Sequence, residues 1–145
     1  MLYHYTDRDS AREIIEAGAL RAEPVRVRTA LIGGEELLLA RCVWFTRSAE
    51  VSPTVKAKLA VAGWPLDRPE MLWRFGVADG AVPLDLPAWA YPHGYDPQLF
   101  RWMLVTAHVA GERWEDWRLS DADVPRERWL AVESLGAGGW APQPW

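Results

Sequence analysis

Three short segments of this sequence carry side chains that could form a polar site. They are residues 4–6, which begin with His4, residues 43–46, which contain Trp44, and the Val-Glu pair that ends at Glu133. An imidazole can donate or accept a hydrogen bond, an indole ring can stack on a cationic group, and a carboxylate can stabilise positive charge. Glutamate is depleted in strands, yet Glu133 follows an apolar run, so its carboxylate is either solvated or functional.

Each of these residues also has an ordinary structural interpretation. His4 could be a satisfied histidine at a strand edge, Trp44 a core aromatic residue, and Glu133 a solvent-facing residue on a strand. Arg47, which directly follows the second segment, is typical of a surface residue. The joint occurrence of the three segments, rather than any one of them, favours a functional site.

Apolar periodicity and capping residues predict the elements that must position these side chains. Residues 2–6 are typical of a short strand, and the i, i+3, i+4 spacing of apolar residues after it predicts a helix that ends at Gly18. Ser10 begins an S-x-x-E capping pattern, and Asp7 is a competing N-cap. Residues 42–46 predict a buried strand.

The rest of the chain is predicted to continue as short interleaved elements. A helix is predicted over residues 55–62, with Ser52 as its cap. Strands are predicted over residues 71–77, 81–84, 114–119 and 129–135, followed by a hairpin turn over 136–139 and a last strand at Trp140. Residues 87–97 predict a loop, and residues 98–110 fit a helix or a strand. This pattern favours one compact α+β domain over residues 1–145.

Composition argues against several classes of protein. The net charge of -4 and the lack of a basic stripe argue against a protein that grips nucleic acid through its phosphates. No P-loop, dinucleotide fingerprint or zinc motif occurs, so no metal site is expected. No leader and no membrane-spanning apolar run is evident, and the single Cys42 fits a reducing compartment, which predicts a cytoplasmic protein.

The three segments together resemble the ADP-ribosyltransferase fold, in its diphtheria-toxin and poly-ADP-ribose-polymerase branch. That branch carries a histidine, an aromatic residue and a glutamate on three separate strands, and His4, Trp44 and Glu133 occur in that order over nearly the whole chain. The helix that ends in Gly-x-Leu after the H-x-T segment is similar to small bacterial members of the family. The resemblance implies two small, packed, mostly antiparallel sheets, split around a cleft and flanked by short helices.

The resemblance also implies that NAD binds in this cleft as a co-substrate. His4 would hydrogen-bond the adenosine ribose, the backbone of Tyr5 would pair with the nicotinamide amide, and Thr6 would complete this NAD-binding segment. Trp44 would stack on the nicotinamide ring, whose positive charge attracts an aromatic face by about 1–2 kcal/mol. Glu133 would bind the nicotinamide ribose and stabilise the positive charge that develops as nicotinamide leaves.

Further contacts to NAD are implied along the second strand and after it. Ser52 or Thr54 would touch the nicotinamide carboxamide, and Arg47 would reach the pyrophosphate. The family's second-strand residue is most often tyrosine, whereas this chain has Trp44 followed by Phe45, and either ring could stack on nicotinamide.

The function that the resemblance implies is mono-ADP-ribosylation of an acceptor, either a macromolecule or a small molecule. A bacterial toxin, effector or defence protein is the expected setting, with a cognate inhibitor protein as a partner. Two alternatives stay open on the same scaffold. One is an NAD glycohydrolase, in which water replaces the acceptor. The other is a non-catalytic binding module with a decayed site.

Overall fold

Antiparallel strands and short α-helices, two of them described over their full length, build the part of the protein that a computed structural model describes. The described residues are 1–28, 36–52, 56, 71–94, 101, 104–105, 108 and 111–145. The elements are β1 (Leu2–Asp7), α1 (Arg8–Ala17), β2 (Ala19–Leu20), β3 (Glu23–Arg28), β4 (Glu36–Thr46), β5 (Leu72–Val77), α2 (Leu86–Ala90), β6 (Trp117–Ser120), β7 (Val124–Pro125), β8 (Trp129–Gly136) and β9 (Gly139–Pro142). The predicted α+β class with antiparallel sheets is confirmed.

Helix α1 begins and ends as its capping residues predict. Asp7 is the N-cap, because its carboxylate accepts a hydrogen bond from the backbone N–H of Ser10 at 2.8 Å. Asp7, rather than Ser10, therefore caps the helix, and the Ser10 hydroxyl donates to the same carboxylate at 2.7 Å. Gly18 ends the helix with φ of 69°, and its N–H reaches the carbonyls of Ile14 and Ile15.

Strand β1 lies in the middle of the main sheet. The strand order is β3-β4-β1-β5-β8-β9, with β6 added beside β4, while β2 and β7 form a separate two-stranded sheet. Strand β1 pairs with β5 over its full length, from Leu2 to Asp7. On its other side it pairs with β4 only where Tyr3 faces Thr46. Beyond that pair the two strands diverge, so the main sheet opens between β1 and β4.

The two faces of the main sheet pack into two separate apolar clusters. Phe45 and Phe75 are fully buried with α1 on one face, where each ring contributes roughly 1.5–3 kcal/mol by leaving water. Trp44 points to the other face and packs in a second cluster with Trp89 of α2 and Leu119 of β6. Because successive side chains of a strand point to opposite faces, Trp44 and Phe45 belong to different clusters.

Two sequence predictions after β5 are wrong. The predicted strand over residues 81–84 is instead a 3-10 turn at Asp79–Ala81 followed by a single bridge from Leu84 to Leu119. The predicted loop over residues 87–97 begins as helix α2, because the Asp85 carboxylate accepts the N–H of Ala88 at 2.8 Å and caps it. A proline in the first turn is compatible with such a helix start, since its missing N–H has no partner there.

The other predicted strands are found where the structure describes the chain, one of them with a later start. The predicted strands over 71–77 and 129–135 correspond to β5 and β8, and β8 turns back into β9 as a hairpin. The strand predicted over 114–119 begins later, at Trp117, after a 3-10 turn. Of the helix predicted over 55–62 only Lys56 is described, and it is helical. In the segment for which a helix or a strand is predicted, the described residues are all helical: Arg101, Leu104, Val105 and His108.

Candidate active site

Three polar side chains form a row across the main sheet, one on each of three adjacent strands. Tyr5 of β1 lies opposite Arg74 of β5, and Arg74 lies opposite Glu133 of β8. Residues paired directly across an antiparallel ladder place their side chains on the same face of the sheet. The register alone therefore brings these three side chains together, although Arg74 and Glu133 are 59 residues apart in the sequence.

An ion pair joins the second and third members of the row. The Nε of Arg74 donates to Oε2 of Glu133 at 2.7 Å, and the Arg74 side chain is 8% exposed while that of Glu133 is 19% exposed. The Nη1 of Arg74 donates to the carbonyl of Ala49 at 2.5 Å. Within the described residues, all hydrogen bonds to the Glu133 carboxylate go to Oε2. The carboxylate is thus fixed at one oxygen while part of its surface stays accessible.

Two aromatic rings enclose the guanidinium of Arg74. Its central carbon lies 4.3 Å from the ring centroid of Tyr3 and 4.2 Å from that of Trp140. Tyr3 is on β1, and Trp140 is on β9, where the pairing of Trp140 with Leu135 places it on the same face as Glu133. A cation between two π-faces is attracted by both ring quadrupoles. This part of the sheet face is therefore suited to a planar cation.

Tyr5 closes the row at the edge where the sheet opens. Its hydroxyl donates to the carbonyl of Ser48 at 2.8 Å, and its ring lies 5.7 Å from that of Trp140. Burial raises the pKa of Tyr5 to about 12, although the neighbouring guanidinium of Arg74 acts in the opposite direction. The hydroxyl therefore stays protonated and remains a hydrogen-bond donor at neutral pH.

His4 lies on the opposite face of β1 from this row. It pairs with Phe75, whose ring is buried in the cluster beside α1, and its own ring is 5.9 Å from that of Phe45. The Nδ1 of His4 lies 2.9 Å from the carbonyl of Trp44, so the ring bridges β1 to β4 just beyond the last backbone pair. A carbonyl only accepts hydrogen bonds, so Nδ1 carries the proton in this contact. The structure does not bring His4 beside Glu133.

The structure distinguishes the two rings that could stack on nicotinamide. Phe45 is fully buried in the α1-side cluster and presents no surface to a ligand. Trp44 is partly buried, and it contacts Trp117 edge-on with ring centroids 5.0 Å apart. Because Tyr3 faces Thr46, and Trp44 is two residues from Thr46, Trp44 shares the face of the polar row. Of the two rings, only Trp44 keeps part of its surface accessible.

The remaining predicted residues lie apart from one another. Arg47 pairs with Asp79 at 2.5 Å and also donates to the carbonyl of Glu115, so its guanidinium is already engaged. Thr6 is buried on the His4 face of β1, opposite Trp73. Ser52 is buried four residues after Ser48, in the segment that follows β4. Thr54 lies outside the described residues.

Sequence reasoning missed Arg74, Tyr3 and Trp140. The useful signal was the same one that identified Glu133, since Arg74 is a charged residue inside an otherwise apolar predicted strand. A buried strand rarely carries an isolated charge, so two such strands with opposite charges indicate a pair. Tyr3 and Trp140 carried no comparable signal, because aromatic residues are ordinary in strands.

Comparison of the chain with models of protein families, with curated proteins and with solved structures finds no match. In the described ranges, no three His, Cys, Asp or Glu side chains lie close enough together to hold a metal ion. No helix in that same part of the chain is long and apolar enough to cross a membrane. The candidate site is therefore defined by the geometry of Tyr5, Arg74 and Glu133 and of the rings around them.

Proposed function

We propose that this protein is an NAD-dependent ADP-ribosyltransferase in which Glu133 is the catalytic carboxylate. The observation that carries the proposal is the setting of Glu133. Its carboxylate is held at one oxygen, remains partly exposed, and lies on a sheet face that already surrounds a planar cation with aromatic rings. Arg74 fills the space between Tyr3 and Trp140, so oxidised nicotinamide, which is also a planar cation, would stack on the Trp44 ring of the same face.

The reaction divides into one bond that breaks and one that forms. The bond between the ribose C1′ and the nicotinamide nitrogen breaks, and its electron pair leaves with nicotinamide, which becomes neutral. The acceptor then bonds to C1′ and loses a proton. Glu133 stabilises the positive charge that spreads over the ribose between these events, as carboxylates do in glycoside cleavage. The Tyr5 hydroxyl, which donates to the Ser48 carbonyl, holds the segment after β4 at the edge of the site, and Trp44 supplies a ring on the same face.

Hydrolysis of NAD is the same first step with water as the acceptor, so it uses the same residues. A non-catalytic module that binds NAD or another planar cation is the second candidate, and one observation favours it. Arg74 lies 2.7 Å from Glu133 and offsets the negative charge that the reaction needs. In that case the site would bind a ligand without breaking the glycosidic bond.

The deciding experiment measures nicotinamide release from NAD by the purified protein, alongside NAD binding. We expect the wild type to release nicotinamide, and Glu133→Gln to lower that rate by about 100- to 1000-fold, as for removal of one group that stabilises transition-state charge. Glutamine keeps the shape of the side chain and an oxygen that can accept from Arg74. Glu127→Gln is the matched control, because it removes one negative charge from an exposed turn.

Each result separates the candidates. Label from NAD that appears on a macromolecule supports the transferase, whereas free ADP-ribose as the sole product supports the hydrolase. A rise in melting temperature with NAD but no nicotinamide release supports the binding module, since a ligand that binds the folded state stabilises it by mass action. Neither binding nor release at millimolar NAD would reject the proposal.

A further inference from the structure

We propose that Arg74 is the positioning residue of this site, and that it fixes the Glu133 carboxylate and the segment after β4 as one unit. This inference rests on the proposed function, because it concerns how the catalytic carboxylate is held. Neither Arg74 nor its ring neighbours belong to the His4, Trp44 and Glu133 set that the sequence indicated.

The contacts of Arg74 fix both the plane of its guanidinium and the directions in which it donates hydrogen bonds. Its plane is held between Tyr3 of β1 and Trp140 of β9, with ring centroids 4.3 Å and 4.2 Å away. Its Nε and Nη1 donate in different directions, to Glu133 Oε2 and to the Ala49 carbonyl. A guanidinium is rigid and planar, so once the two rings fix its plane and Ala49 fixes Nη1, the direction in which Nε donates to Glu133 is fixed as well. The orientation of Glu133 is therefore set from four strands and one loop segment.

Stability alone is a poor explanation for this arrangement. Burying an arginine and a carboxylate costs desolvation that their attraction seldom exceeds, and apolar residues of similar size usually serve a sheet face as well or better. The neighbours on this face, Tyr3 and Trp140, would pack against an apolar side chain as readily as against a cation. The side chains of Arg74 and Glu133 are only 8% and 19% exposed. A charged pair buried to this extent is better explained by the need for an oriented carboxylate.

The same arginine also holds the segment that follows β4. Ala49 accepts from Arg74, and the preceding residue, Ser48, accepts from the Tyr5 hydroxyl. Two consecutive carbonyls are thus bound by two side chains of the polar row. Ser52, which is buried three residues further on, belongs to this segment. A displacement of Arg74 therefore moves both the carboxylate and the segment that borders it.

The test replaces Arg74 and separates binding of NAD from its turnover. We expect Arg74→Ala to lower kcat by about 100-fold or more, because small misplacements of a reacting group have effects of that size. The KM for NAD should change by no more than about 3-fold, because the interaction lost is one that matters in the transition state. Guanidinium ion should restore part of kcat in a saturable way, by occupying the space between Tyr3 and Trp140. Arg41→Ala is the matched control, because Arg41 also pairs with a carboxylate and a backbone carbonyl but is largely exposed.

A second variant keeps the inference testable if Arg74→Ala does not fold. Arg74→Lys keeps the charge but loses the plane and the two-directional donors, so its kcat should fall by at least about 10-fold while its melting temperature stays close to that of the wild type. A kcat within about 3-fold of wild type in both variants, or in Arg74→Lys alone, overturns the positioning role. So does a loss of kcat in Arg74→Ala that sodium at equal ionic strength restores as well as guanidinium does.

The failure of this inference differs from a failure of the proposed function. If the wild type itself releases no nicotinamide, the proposed function fails, and the positioning role falls with it before any variant is made. If the wild type is active and Glu133→Gln is not, the function stands, and only the Arg74 variants decide the positioning role. In the Glu133→Gln background, Arg74→Ala should cause no further loss of kcat, because there is no catalytic carboxylate left to position.

Discussion

Two arginine–carboxylate pairs of this protein have similarly short contacts and very different surroundings. Arg74 and Glu133 approach to 2.7 Å in the middle of the main sheet, with side chains that are 8% and 19% exposed. Arg47 and Asp79 approach to 2.5 Å at the end of β4, with side chains that are 36% and 47% exposed. Both arginines also donate to a backbone carbonyl. The exposed pair even has the more complete contact, since Nε of Arg47 also donates to Oδ1 of Asp79 at 3.2 Å, so the main difference that favours the Arg74 pair is its shielding from water.

The causes of the pKa shifts of the two arginines reflect this difference in access of water. Burial is the largest influence on the pKa of Arg74 and lowers it, and the hydrogen bonds to Glu133 and Tyr5 more than compensate, so the pKa is raised overall. The pKa of Arg47 is raised first by its hydrogen bond to Asp79. The charge of Arg74 thus depends on its protein partners, whereas water can replace the partner of Arg47. A short contact by itself does not indicate how much a pair matters.

The largest expected effect is on folding stability when the buried pair is broken. Glu133→Ala leaves the Arg74 charge buried without its carboxylate, and we expect the free energy of unfolding to fall by about 2–3 kcal/mol, at or below the low end for buried pairs because Glu133 keeps some solvent contact. Asp79→Ala should change it by an amount close to experimental error. Urea denaturation of both variants measures the difference.

A paired replacement sharpens the same comparison. Arg74→Met combined with Glu133→Leu removes both charges and keeps apolar volume on the sheet face, so it should recover most of the stability lost in Glu133→Ala. Equal losses of stability in Glu133→Ala and Asp79→Ala would show that the buried and exposed pairs are energetically alike, and that access of water does not distinguish them.

An intermediate effect is expected from Tyr5→Phe, which removes the hydrogen bond to Ser48. We expect a loss of about 1 kcal/mol at pH 7, the usual net value of one hydrogen bond. The pKa of Tyr5 is raised from 10.0 to about 12 in the folded protein, so the folded state keeps this proton while the unfolded state loses it. Stability that comes from Tyr5 is therefore complete below pH 10 and is lost as the pH rises toward 12.

The measurement is the free energy of unfolding of wild type and Tyr5→Phe between pH 8 and pH 12. The advantage of the wild type should shrink above pH 10, where phenylalanine has no proton to lose. A difference between the two proteins that stays constant through this range would mean that the Tyr5 hydroxyl is not shielded from water as the row requires.

The smallest effect is expected from Arg47→Gln. Water can solvate Asp79 when the guanidinium is removed, and salt already screens a pair at this exposure. We expect a melting temperature within the scatter of repeated measurements, at low and at high salt. A clear loss of stability at low salt that disappears at high salt would mean that the Arg47–Asp79 pair contributes more to stability than its exposure indicates.

Local signals in the sequence predicted part of the fold and part of the site. Asp7, Ser10 and Gly18 determine where α1 begins and ends, because capping depends on residues within one turn. The apolar runs of β5 and β8 likewise predicted both strands. The prediction failed at residues 81–84, where a 3-10 turn and a single bridge replace the strand, and at the start of residues 87–97, where Asp85 caps a helix that prolines and aromatic residues concealed.

The sequence by itself determined which candidate residues lie on which strand: the His-Tyr-Thr of β1, the tryptophan of β4 and the isolated Glu133 of β8. The tertiary structure alone decided which of them share a face. A strand offers its side chains alternately to two faces, and only the packing of α1 and the register between distant strands assign those faces. For that reason His4 lies beside the buried rings, while Tyr5, its immediate neighbour, lies in line with Arg74 and Glu133.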